Sequence, residues 1–253
     1  MEERGTIGLY IPSYKRYNNI MTHNILPNAI YVVRDTEKDK YVEALGGREE
    51  IVWACPDDEI NSLAKVRQYI IDNAKEDVII EIDDDISSIE IISGEISNKL
   101  NEEEILNEFE KISQLIVDLN IGHASLLMGS AKPLSYQGDF KFVGLTGGVC
   151  WFNKKDMKGK YVTDGTTYTK EDQDFVLQEL LLNRIILCPQ YLGMHNKCDV
   201  NSGGNNTNKN VNAIKKTVDA MQNKWGKYFE HNYKNNNSKV NVKRNAPSKF
   251  KNN

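Results

Sequence analysis

The sequence predicts one α/β domain built around a mainly parallel sheet with helices on both faces. Short apolar runs alternate with helical patterns along the chain, and most of the runs end in turn-forming residues. Hydrophobic residues make up 40% of the 253 residues, which is enough for a sizeable core. Alternation of this kind is typical of three-layer sheets whose strands are buried on both faces. Strands are predicted at residues 6–11, 29–33, 51–54, 78–82, 124–128, 141–152 and 185–188.

Three helices are predicted between these strands, at residues 57–74, 102–119 and 171–183. The second carries its apolar side chains at helical spacing and begins with Asn101 and Glu104, which match a capping box. We interpret this helix as a packing element without chemistry. Thr169 and Asp172 resemble a further capping box at the start of the third helix.

The charge of the chain is unevenly distributed, and it divides the sequence after residue 207. The net charge is −4, but residues 208–253 contain ten Lys and one Arg against one Asp and one Glu. This leaves +9 on that segment and −13 on residues 1–207. We predict a globular domain over 1–207 and a basic, Lys- and Asn-rich extension over 208–253 that is partly disordered. Such an extension either holds a polyanion by counterion release or serves as a solubilising end.

Several protein classes are excluded by what the sequence lacks. No run approaches about 18 consecutive apolar residues, so no transmembrane helix and no membrane partner are expected. The first residues lack the charged and apolar regions of a signal peptide. The four cysteines form no Cys-x-x-Cys pair, and His195 with Cys198 lacks the second ligand pair of a zinc site. We therefore expect reduced thiols and a cytoplasmic location.

Three consecutive aspartates, Asp83, Asp84 and Asp85, follow the apolar strand predicted at 78–82. Adjacent like charges at the tip of a buried strand raise one another's pKa, and removing them from water is unfavourable without a compensating cation. Because Asp83 and Asp85 lie two residues apart on an extended segment, their side chains point the same way. Two such carboxylates suit a hard divalent cation, Mg²⁺ or Mn²⁺, that also holds a diphosphate. The alternative is a solvated acidic turn.

Polar segments follow three predicted strands of the same sheet. Pro12, Ser13 and Tyr14 follow the first strand, Asp57 follows the third, and the aspartate triplet follows the fourth. Ligands of parallel α/β sheets bind beyond the carboxyl ends of the strands. These three segments are therefore expected to meet at one site.

Two features of the neighbouring elements also suggest a binding site. Arg67 lies in the apolar stripe of the first predicted helix, between Leu63 and Ile70, and an inward guanidinium needs an anion because it keeps its charge. It either snorkels to the helix edge, forms a salt bridge with the aspartates, or contacts a substrate diphosphate. Gly147 and Gly148 interrupt a predicted strand, which indicates a bulge or a close approach of the backbone to a ligand.

Acidic residues begin the third predicted helix, and a histidine follows the last predicted strand. Acids in a first helical turn suit the helix dipole, but Glu171, Asp172 and Asp174 together exceed what capping requires. A carboxylate that faces a pocket can act as a general base toward an acceptor hydroxyl. His195 lies in a polar stretch, where a neutral imidazole is either structural or a third metal ligand.

In their order and spacing these motifs resemble glycosyltransferases of the GT-A fold, in particular the family-2-like enzymes, over about residues 6–200. Residues 11–16 resemble the family's opening strand and loop, residues 63–67 its Ala-Arg helix, and residues 83–85 its Asp-x-Asp motif. Residues 146–152 resemble its glycine-bearing strand, residues 171–174 its Glu-Asp-x-Asp acceptor motif, and His195 its late metal-site histidine.

The resemblance implies a Rossmann-like sheet and transfer of a sugar from a nucleotide sugar, expected to be a UDP-sugar, to a hydroxyl. It implies that Asp83, Asp85 and His195 hold Mn²⁺ or Mg²⁺. It also implies catalytic roles for Asp172 and Asp174, with Asp172 as the base in an inverting enzyme. The opening loop lacks the acid that the family usually places near uracil, and Asp84 is expected to face away as the dispensable aspartate. Donor-binding roles are implied for Pro12, Ser13, Tyr14, Arg16, Asp57, Asp58, Arg67, Asp84, Gly147 and Gly148.

The compact size, the Lys/Asn bias and the basic extension also resemble phage glycosyltransferases associated with DNA hydroxylases. This implies a hydroxymethylated pyrimidine in DNA as acceptor, bound through the basic extension, and the host cytoplasm as location. Other functions stay open: a saccharide- or protein-directed transferase, a nucleotidyltransferase, or a catalytically silent nucleotide- or DNA-binding protein. A nucleotidyltransferase is expected to carry a Gly-rich loop after its first strand, and the segment 12–14 has no glycine.

Overall fold

A computed structural model describes residues 5–93, 96–126, 139–142, 147–162, 170–196, 211–234 and 237–242. Thr146, Thr169 and Cys198, which belong to motifs named above, lie outside these ranges. The helices are α1 (Lys38–Ala44), α2 (Leu63–Asn73), α3 (Glu102–Asp118), α4 (Glu171–Leu182) and α5 (Val211–Trp225). The strands are β1 (Ile7–Pro12), β2 (Ile30–Arg34), β3 (Val52–Cys55), β4 (Val78–Ile82), β5 (Ile86–Ser93), β6 (Ile96–Lys99), β7 (His123–Leu126), β8 (Phe140–Lys141), β9 (Val149–Asn153), β10 (Cys188–Pro189), β11 (Leu192–Asn196), β12 (Phe229–Asn232) and β13 (Asn237–Val240).

The central sheet has six strands in the order β3-β2-β1-β4-β9-β7. The first four run parallel, whereas β9 runs antiparallel to both β4 and β7. Every residue of β4 is buried, which explains its almost continuous apolar sequence. The predicted mainly parallel α/β fold is confirmed, and the antiparallel edge adds a feature that strand patterns cannot reveal.

Helices cover both faces of this sheet and make it the middle of three layers. On β9, Trp151 faces α3 and packs edge-on against Phe109, with ring centroids 5.1 Å apart. The next residue, Phe152, faces the other layer and packs against Phe175 of α4. The capping box of Asn101 at the start of α3 is present as predicted. Alternate residues of the strands therefore build two separate apolar layers.

A smaller sheet, in the order β11-β5-β6, lies at the end of β4. Its strand β5 begins at Ile86, one residue after the aspartate triplet, so the aspartates form the connection between the two sheets. β11 pairs antiparallel with β5 and brings His195 opposite Ser88. This sheet was not predicted from the sequence. The triplet therefore lies between the central sheet and this smaller sheet.

The described part of the basic segment, residues 211–234 and 237–242, forms α5 and a hairpin of β12 and β13. Val218 and Met221 of α5 and Phe229 of β12 pack with Leu177 of α4. No element was predicted here from the sequence, although the apolar side chains of α5 lie at helical spacing. The domain boundary after residue 207 stays a prediction. Among the described residues, no helix combines the length and apolar character needed to cross a bilayer.

Candidate functional site

A cavity of about 170 Å³ opens at the carboxyl ends of β1, β2 and β4, beside the start of α2. Parallel α/β sheets bind ligands at this edge, where strand order leaves a crevice. The predicted segments after the first and fourth strands meet in it. Its lining consists of Pro12, Ser13, Tyr14, Arg16, Arg34, Ile60, Asn61, Ser62, Leu63, Val66, Asp83, Asp84 and Asp85.

The aspartate triplet is a structured turn, which excludes a freely solvated acidic loop. The backbone N–H of Asp83 donates to the carbonyl of Gly148 at 2.8 Å. Thr22 Oγ1 donates to the Asp83 carbonyl at 2.6 Å and accepts from the Ile86 N–H at 3.1 Å. Asp84 and Asp85 are each only 5% exposed. The fold thus holds the three carboxylates in place, at an energetic cost that cations must offset.

Arg67 supplies the first of these cations, from beneath the cavity. It is 7% exposed, so it does not snorkel to the helix edge. Its guanidinium donates to Asp83 Oδ1 at 2.8 Å and to Glu81 Oε2 at 2.9 Å. The predicted salt bridge between Arg67 and the aspartate cluster is therefore present. It also pairs Glu81, the charged residue within the apolar strand β4, to which the sequence had suggested no role.

Arg16 supplies the second cation, from the loop after β1. Its guanidinium forms salt bridges with both Asp84 and Asp85. Ser13 Oγ also donates to Asp84, and the Arg16 N–H donates to Tyr41 Oη at 3.1 Å, which fixes the loop against α1. The expectation that Asp84 faces away is therefore wrong, because Asp84 lines the cavity and pairs with Arg16 and Ser13. That Asp84 is dispensable stays a prediction.

The acids around the cavity outnumber the guanidinium groups that pair with them. Glu81 and the three aspartates face Arg16 and Arg67, so ionised carboxylates carry two negative charges in excess. Burial raises the pKa of Glu81 to about 7, against the opposing charge of Arg67. Burial raises the pKa of Asp83 to about 6 in the same way, although a third of that side chain faces the cavity. Both pKa values are raised because the positive charge of the arginines compensates only part of the cost of burying these carboxylates.

A divalent cation fits this excess charge. Asp85 Oδ1 is buried and accepts no hydrogen bond from the described residues, so one oxygen of this cavity-lining carboxylate lacks a partner there. Mg²⁺ and Mn²⁺ commonly use one or two protein carboxylates, with substrate phosphates and water completing the shell. Asp83 and Asp85, which both line the cavity, match this number of protein carboxylates.

His195 is placed elsewhere. Its ring lies on β11, 48% exposed, with Nε2 3.3 Å from Glu90 Oε2 on β5. Within the described residues, no three His, Cys, Asp or Glu side chains lie close enough together to hold a metal ion. The structure therefore does not join His195 to Asp83 and Asp85 in one ligand set, as the resemblance had implied. The pairing of β11 with β5 directs the ring toward Glu90 instead.

Gly148 allows the backbone of β9 to approach the triplet. A Cβ atom at this position would lie 2.9 Å from Ile86 Cδ1 and 3.2 Å from Asp83 Oδ2. A larger residue would therefore force Ile86 and Asp83 to shift slightly. Gly147 instead donates its N–H to Ser125 Oγ at 2.7 Å. The close approach at Gly148 is to the protein's own carboxylate, and an approach of this backbone to a ligand stays a prediction.

The acids of α4 divide into two groups. Glu171 and Asp172 begin the helix, and burial raises the pKa of Glu171 to about 8, with the charge of Asp172 adding to the shift. Burial likewise raises the pKa of Asp172. The charges of Arg67 and Asp83 also act on the pKa of Glu171, in opposite directions.

Asp174 lies further along the same turn and faces the other way. It is fully buried and accepts from Trp225 Nε1 at 2.7 Å and from Lys224 Nζ at 3.0 Å, both on α5. Gln178 Nε2 donates to its second oxygen at 3.0 Å. The contacts with Trp225 and Lys224 join α4 to α5.

The two acids predicted after the third strand do not line the cavity. Asp57 accepts from the Thr36 N–H at 3.1 Å and from its hydroxyl at 2.6 Å, and Asp58 is exposed. The loop that follows them lines the cavity instead, through residues 60–63. Sequence reasoning also missed Arg34, which closes β2 and lines the cavity. A charged residue at the end of a buried parallel strand was the available signal.

The topology and the position of the cavity define a three-layer α/β fold with an opening at the carboxyl ends of its parallel strands. No protein-family model matches the sequence, and no curated protein matches it significantly. The likeness to solved structures is therefore one of fold, at low identity.

Among solved structures, the chain is similar to S. aureus TarS in complex with UDP-GlcNAc, with a TM-score of 0.50 and 12% identity, over 86% of this chain and 67% of that one. It is also similar to the mannosyltransferase PcManGT from Pyrobaculum calidifontis in complex with GDP-Man and Mn²⁺, with a TM-score of 0.49 and 10% identity, over 75% and 58%. A third is 4-diphosphocytidyl-2C-methyl-D-erythritol synthase from Anaerococcus prevotii, with a TM-score of 0.45 and 9% identity, over 85% and 96%.

The chain thus spans about three fifths to two thirds of the length of the two transferases. TarS and PcManGT are GT-A-like glycosyltransferases, and the match to TarS establishes that this chain shares the fold of TarS. The predicted GT-A-like architecture is confirmed at this level.

Proposed function

We propose that this protein is a metal-dependent glycosyltransferase that moves a sugar from a nucleotide sugar to a hydroxyl acceptor. The observation that carries the proposal is the cavity at the end of β4. There the acids exceed their arginine partners, and one Asp85 oxygen has no hydrogen-bond partner in the part of the chain that the structure describes. A bound Mn²⁺ or Mg²⁺, held by Asp83 and Asp85, would supply electrostatic stabilisation of the leaving diphosphate.

The residues around Asp83 and Asp85, the proposed metal ligands, position the donor. Arg16 holds Asp84 and Asp85 from the cavity side, so its guanidinium lies where the phosphates of a donor would enter. Arg67 holds Asp83 from below and keeps that carboxylate in a fixed orientation. Ser13 and Tyr41 fix the loop that carries Arg16. This support keeps the groups that contact the donor rigid, which transition-state stabilisation requires.

Asp172 is the base that we propose for the acceptor hydroxyl. It lies at the N-terminus of α4 beside Glu171, and its raised pKa brings it closer to the operating pH, which favours proton transfer. In an inverting reaction Asp172 removes the acceptor proton as the new bond forms. In a retaining reaction it orients the acceptor or a sugar hydroxyl instead.

The acceptor that we propose is a hydroxymethylated pyrimidine in DNA. The +9 charge of residues 208–253 supports a polyanionic acceptor. Besides Lys224, which pairs with Asp174, the described part of this segment exposes Lys215, Lys216, Lys227, Lys234 and Lys239. A base in duplex DNA has to leave the stack to reach the cavity, and lysine contacts with the phosphates hold the duplex meanwhile.

Point substitutions test the DNA acceptor better than truncation does. Ending the chain near Asn235 would remove β13, the pairing partner of β12, and would disturb the fold. Replacing these five exposed lysines by Gln leaves the buried packing unchanged. The KM for hydroxymethylated DNA should then rise, and the slope of log affinity against log salt should become shallower by about one for each phosphate that a lysine no longer neutralises. An unchanged KM would favour a saccharide or protein acceptor.

Donor binding tests the transferase proposal without an acceptor. UDP-, GDP- and CDP-sugars are added with Mn²⁺ while thermal stability and slow donor hydrolysis are measured. A donor at a hundred times its Kd stabilises the fold by about 2.7 kcal/mol, which raises the melting temperature by several degrees. No shift and no hydrolysis with any donor would refute the proposal. Binding without hydrolysis or transfer would favour a silent nucleotide-binding protein.

A further inference from the structure

Arg34 lines the cavity two strands away from the aspartates. It is the last residue of β2, and β1 separates β2 from β4 in the sheet. Adjacent strands lie about 4.8 Å apart, so the backbone of Arg34 is roughly 10 Å from that of the triplet. A donor with its diphosphate at Asp83 and Asp85 extends its nucleoside across β1 toward β2. Arg34 therefore lies at the nucleobase end of the cavity.

The guanidinium of Arg34 is held by an aromatic ring. Its central carbon lies 4.1 Å from the ring centroid of Tyr14, within the range of a cation–π contact. Tyr14 is followed by Lys15, whose φ of 56° is uncommon for a residue other than glycine, and Lys15 Nζ approaches the same ring at 4.9 Å. The N–H of Lys15 donates to Glu37 at 3.2 Å, which fixes this turn.

The donor groups of Arg34 are available to a ligand. Among the residues that the structure describes, none forms a hydrogen bond or salt bridge with its guanidinium. Asp57 interacts with it only as a nearby charge, and that carboxylate is engaged by Thr36. A guanidinium presents five N–H donors in a planar fork and no acceptor. The fork thus lines the cavity, and the described residues leave its hydrogen-bonding capacity unused.

The nucleobases differ in how they match such a fork. Guanine presents two adjacent acceptors, O6 and N7, and cytosine presents O2 and N3, which both suit bidentate pairing with arginine. Uracil places the N3–H donor between its two carbonyl acceptors, so its edge needs an acceptor from the protein. No carboxylate lines this end of the cavity within the described residues. Asn61 also lines the cavity, but its amide both donates and accepts and does not discriminate by itself.

We infer that Arg34 determines the nucleotide specificity of the donor site and selects a base with two adjacent ring-edge acceptors, guanine or cytosine, over uracil. This inference rests on the proposed function, and it replaces the UDP-sugar that the resemblance implied. Tyr14 orients the guanidinium, and the base lies in the plane of the fork.

Isothermal titration of the full-length protein with GDP, CDP, UDP and ADP in the presence of Mn²⁺ tests the inference. GDP or CDP should bind at least about tenfold more tightly than UDP, because a bidentate arginine contact discriminates strongly against the wrong base. In Arg34→Ala this ratio should fall to about one. Arg34→Lys keeps the charge but not the fork, so it should retain general affinity without the preference.

Arg48→Ala is the matched control, because Arg48 is engaged away from the cavity by Glu50, Asn28 and the Pro27 carbonyl. It should keep the wild-type ratio. Equal affinity of the wild type for all four diphosphates, or tighter binding of UDP, would overturn the inference while leaving the transferase proposal intact. A ratio that survives in Arg34→Ala or Arg34→Lys would also overturn it. Binding of none of the four would overturn both proposals.

Discussion

Asp85 and Asp174 are buried carboxylates that the sequence assigned to chemistry, yet their surroundings differ. Asp174 accepts from Lys224, Trp225 and Gln178, so both of its oxygens are satisfied. Asp85 lines a cavity with one oxygen paired to Arg16 and the other unpaired among the described residues. Satisfied buried charges stabilise the contact between elements, whereas an unsatisfied charge beside an opening is available to a ligand. Geometry therefore separates two roles that composition cannot.

The largest effect expected from this comparison is on the activity of Asp85→Asn. The amide keeps the shape of the side chain but removes the negative charge that attracts a divalent cation. The transfer or donor-hydrolysis rate should fall by about a thousandfold or more, since a metal supplies several kcal/mol of transition-state stabilisation. Initial rates at saturating donor and Mn²⁺ measure this.

Asp72→Asn is the control, because Asp72 lies on the exposed face of α2 and accepts there from Gln68 Nε2. Both variants should keep the wild-type melting temperature within a few degrees. Full activity of Asp85→Asn, or of the wild type in excess chelator, would show that the unpaired oxygen has no metal to bind.

Arg67→Met tests the cation beneath the cavity and should cost the fold about 3–5 kcal/mol. The change leaves the fully buried Glu81 without its partner, and breaking a buried pair costs more than the pair contributes. Urea denaturation measures the loss. Arg67→Lys, which keeps the charge but cannot bridge Glu81 and Asp83 with a planar fork, should lose less. A loss below about 1 kcal/mol in Arg67→Met would mean that Glu81 finds another partner or stays neutral.

Asp174→Ala tests the other side of the comparison and should mainly affect stability. Removing the carboxylate leaves Lys224 and the Trp225 N–H without this acceptor, which should cost about 2–4 kcal/mol. The activity of the folded fraction should stay within about twofold of the wild type. Asp174→Asn keeps an acceptor for Trp225 and should recover part of the loss. An inactive variant with unchanged stability would restore the catalytic role that the sequence suggested.

The parts of the fold that local patterns determine were predicted well. The bounds of β4 match the prediction, because a fully buried strand has a continuous apolar sequence. The cap of α3 and the inward position of Arg67 also follow from local spacing. The role of Asp174 was not predictable, since its partner Trp225 lies 51 residues away in sequence. The basic composition of the last segment likewise hid the amphipathic spacing of α5.

The last prediction concerns an unpaired polar atom that lies away from the cavity, on His123. The ring is fully buried on β7, Nδ1 lies 2.9 Å from the Trp151 carbonyl oxygen, and Nε2 has no partner among the described residues. The ring stacks on Phe152, with centroids 5.0 Å apart. Burial lowers the pKa of His123 from 6.5 to about 4, and the charge of Arg67 adds to the shift.

The unfolded state therefore binds more protons than the folded state between pH 6.5 and 4, and the His123 contribution to stability falls as the pH falls through that window. At pH 5 this loss amounts to about 2 kcal/mol relative to pH 7. The raised pKa values of Glu81 and Asp83 act in the opposite direction, because their folded forms hold protons that the unfolded chain releases. Only a comparison with His123→Phe isolates the histidine, since the carboxylates are present in both proteins.

His123→Phe should be less stable than the wild type by about 1 kcal/mol at pH 7, where it lacks the hydrogen bond to Trp151. At pH 5 it should be more stable by about the same amount, because the wild type then bears the cost of keeping a buried imidazole neutral. Urea denaturation of both proteins at the two pH values measures this reversal. Parallel pH dependence would mean that His123 keeps its ordinary pKa through a partner for Nε2. In that case an unpaired atom in the described residues would be a weaker sign of ligand binding, at Asp85 as well.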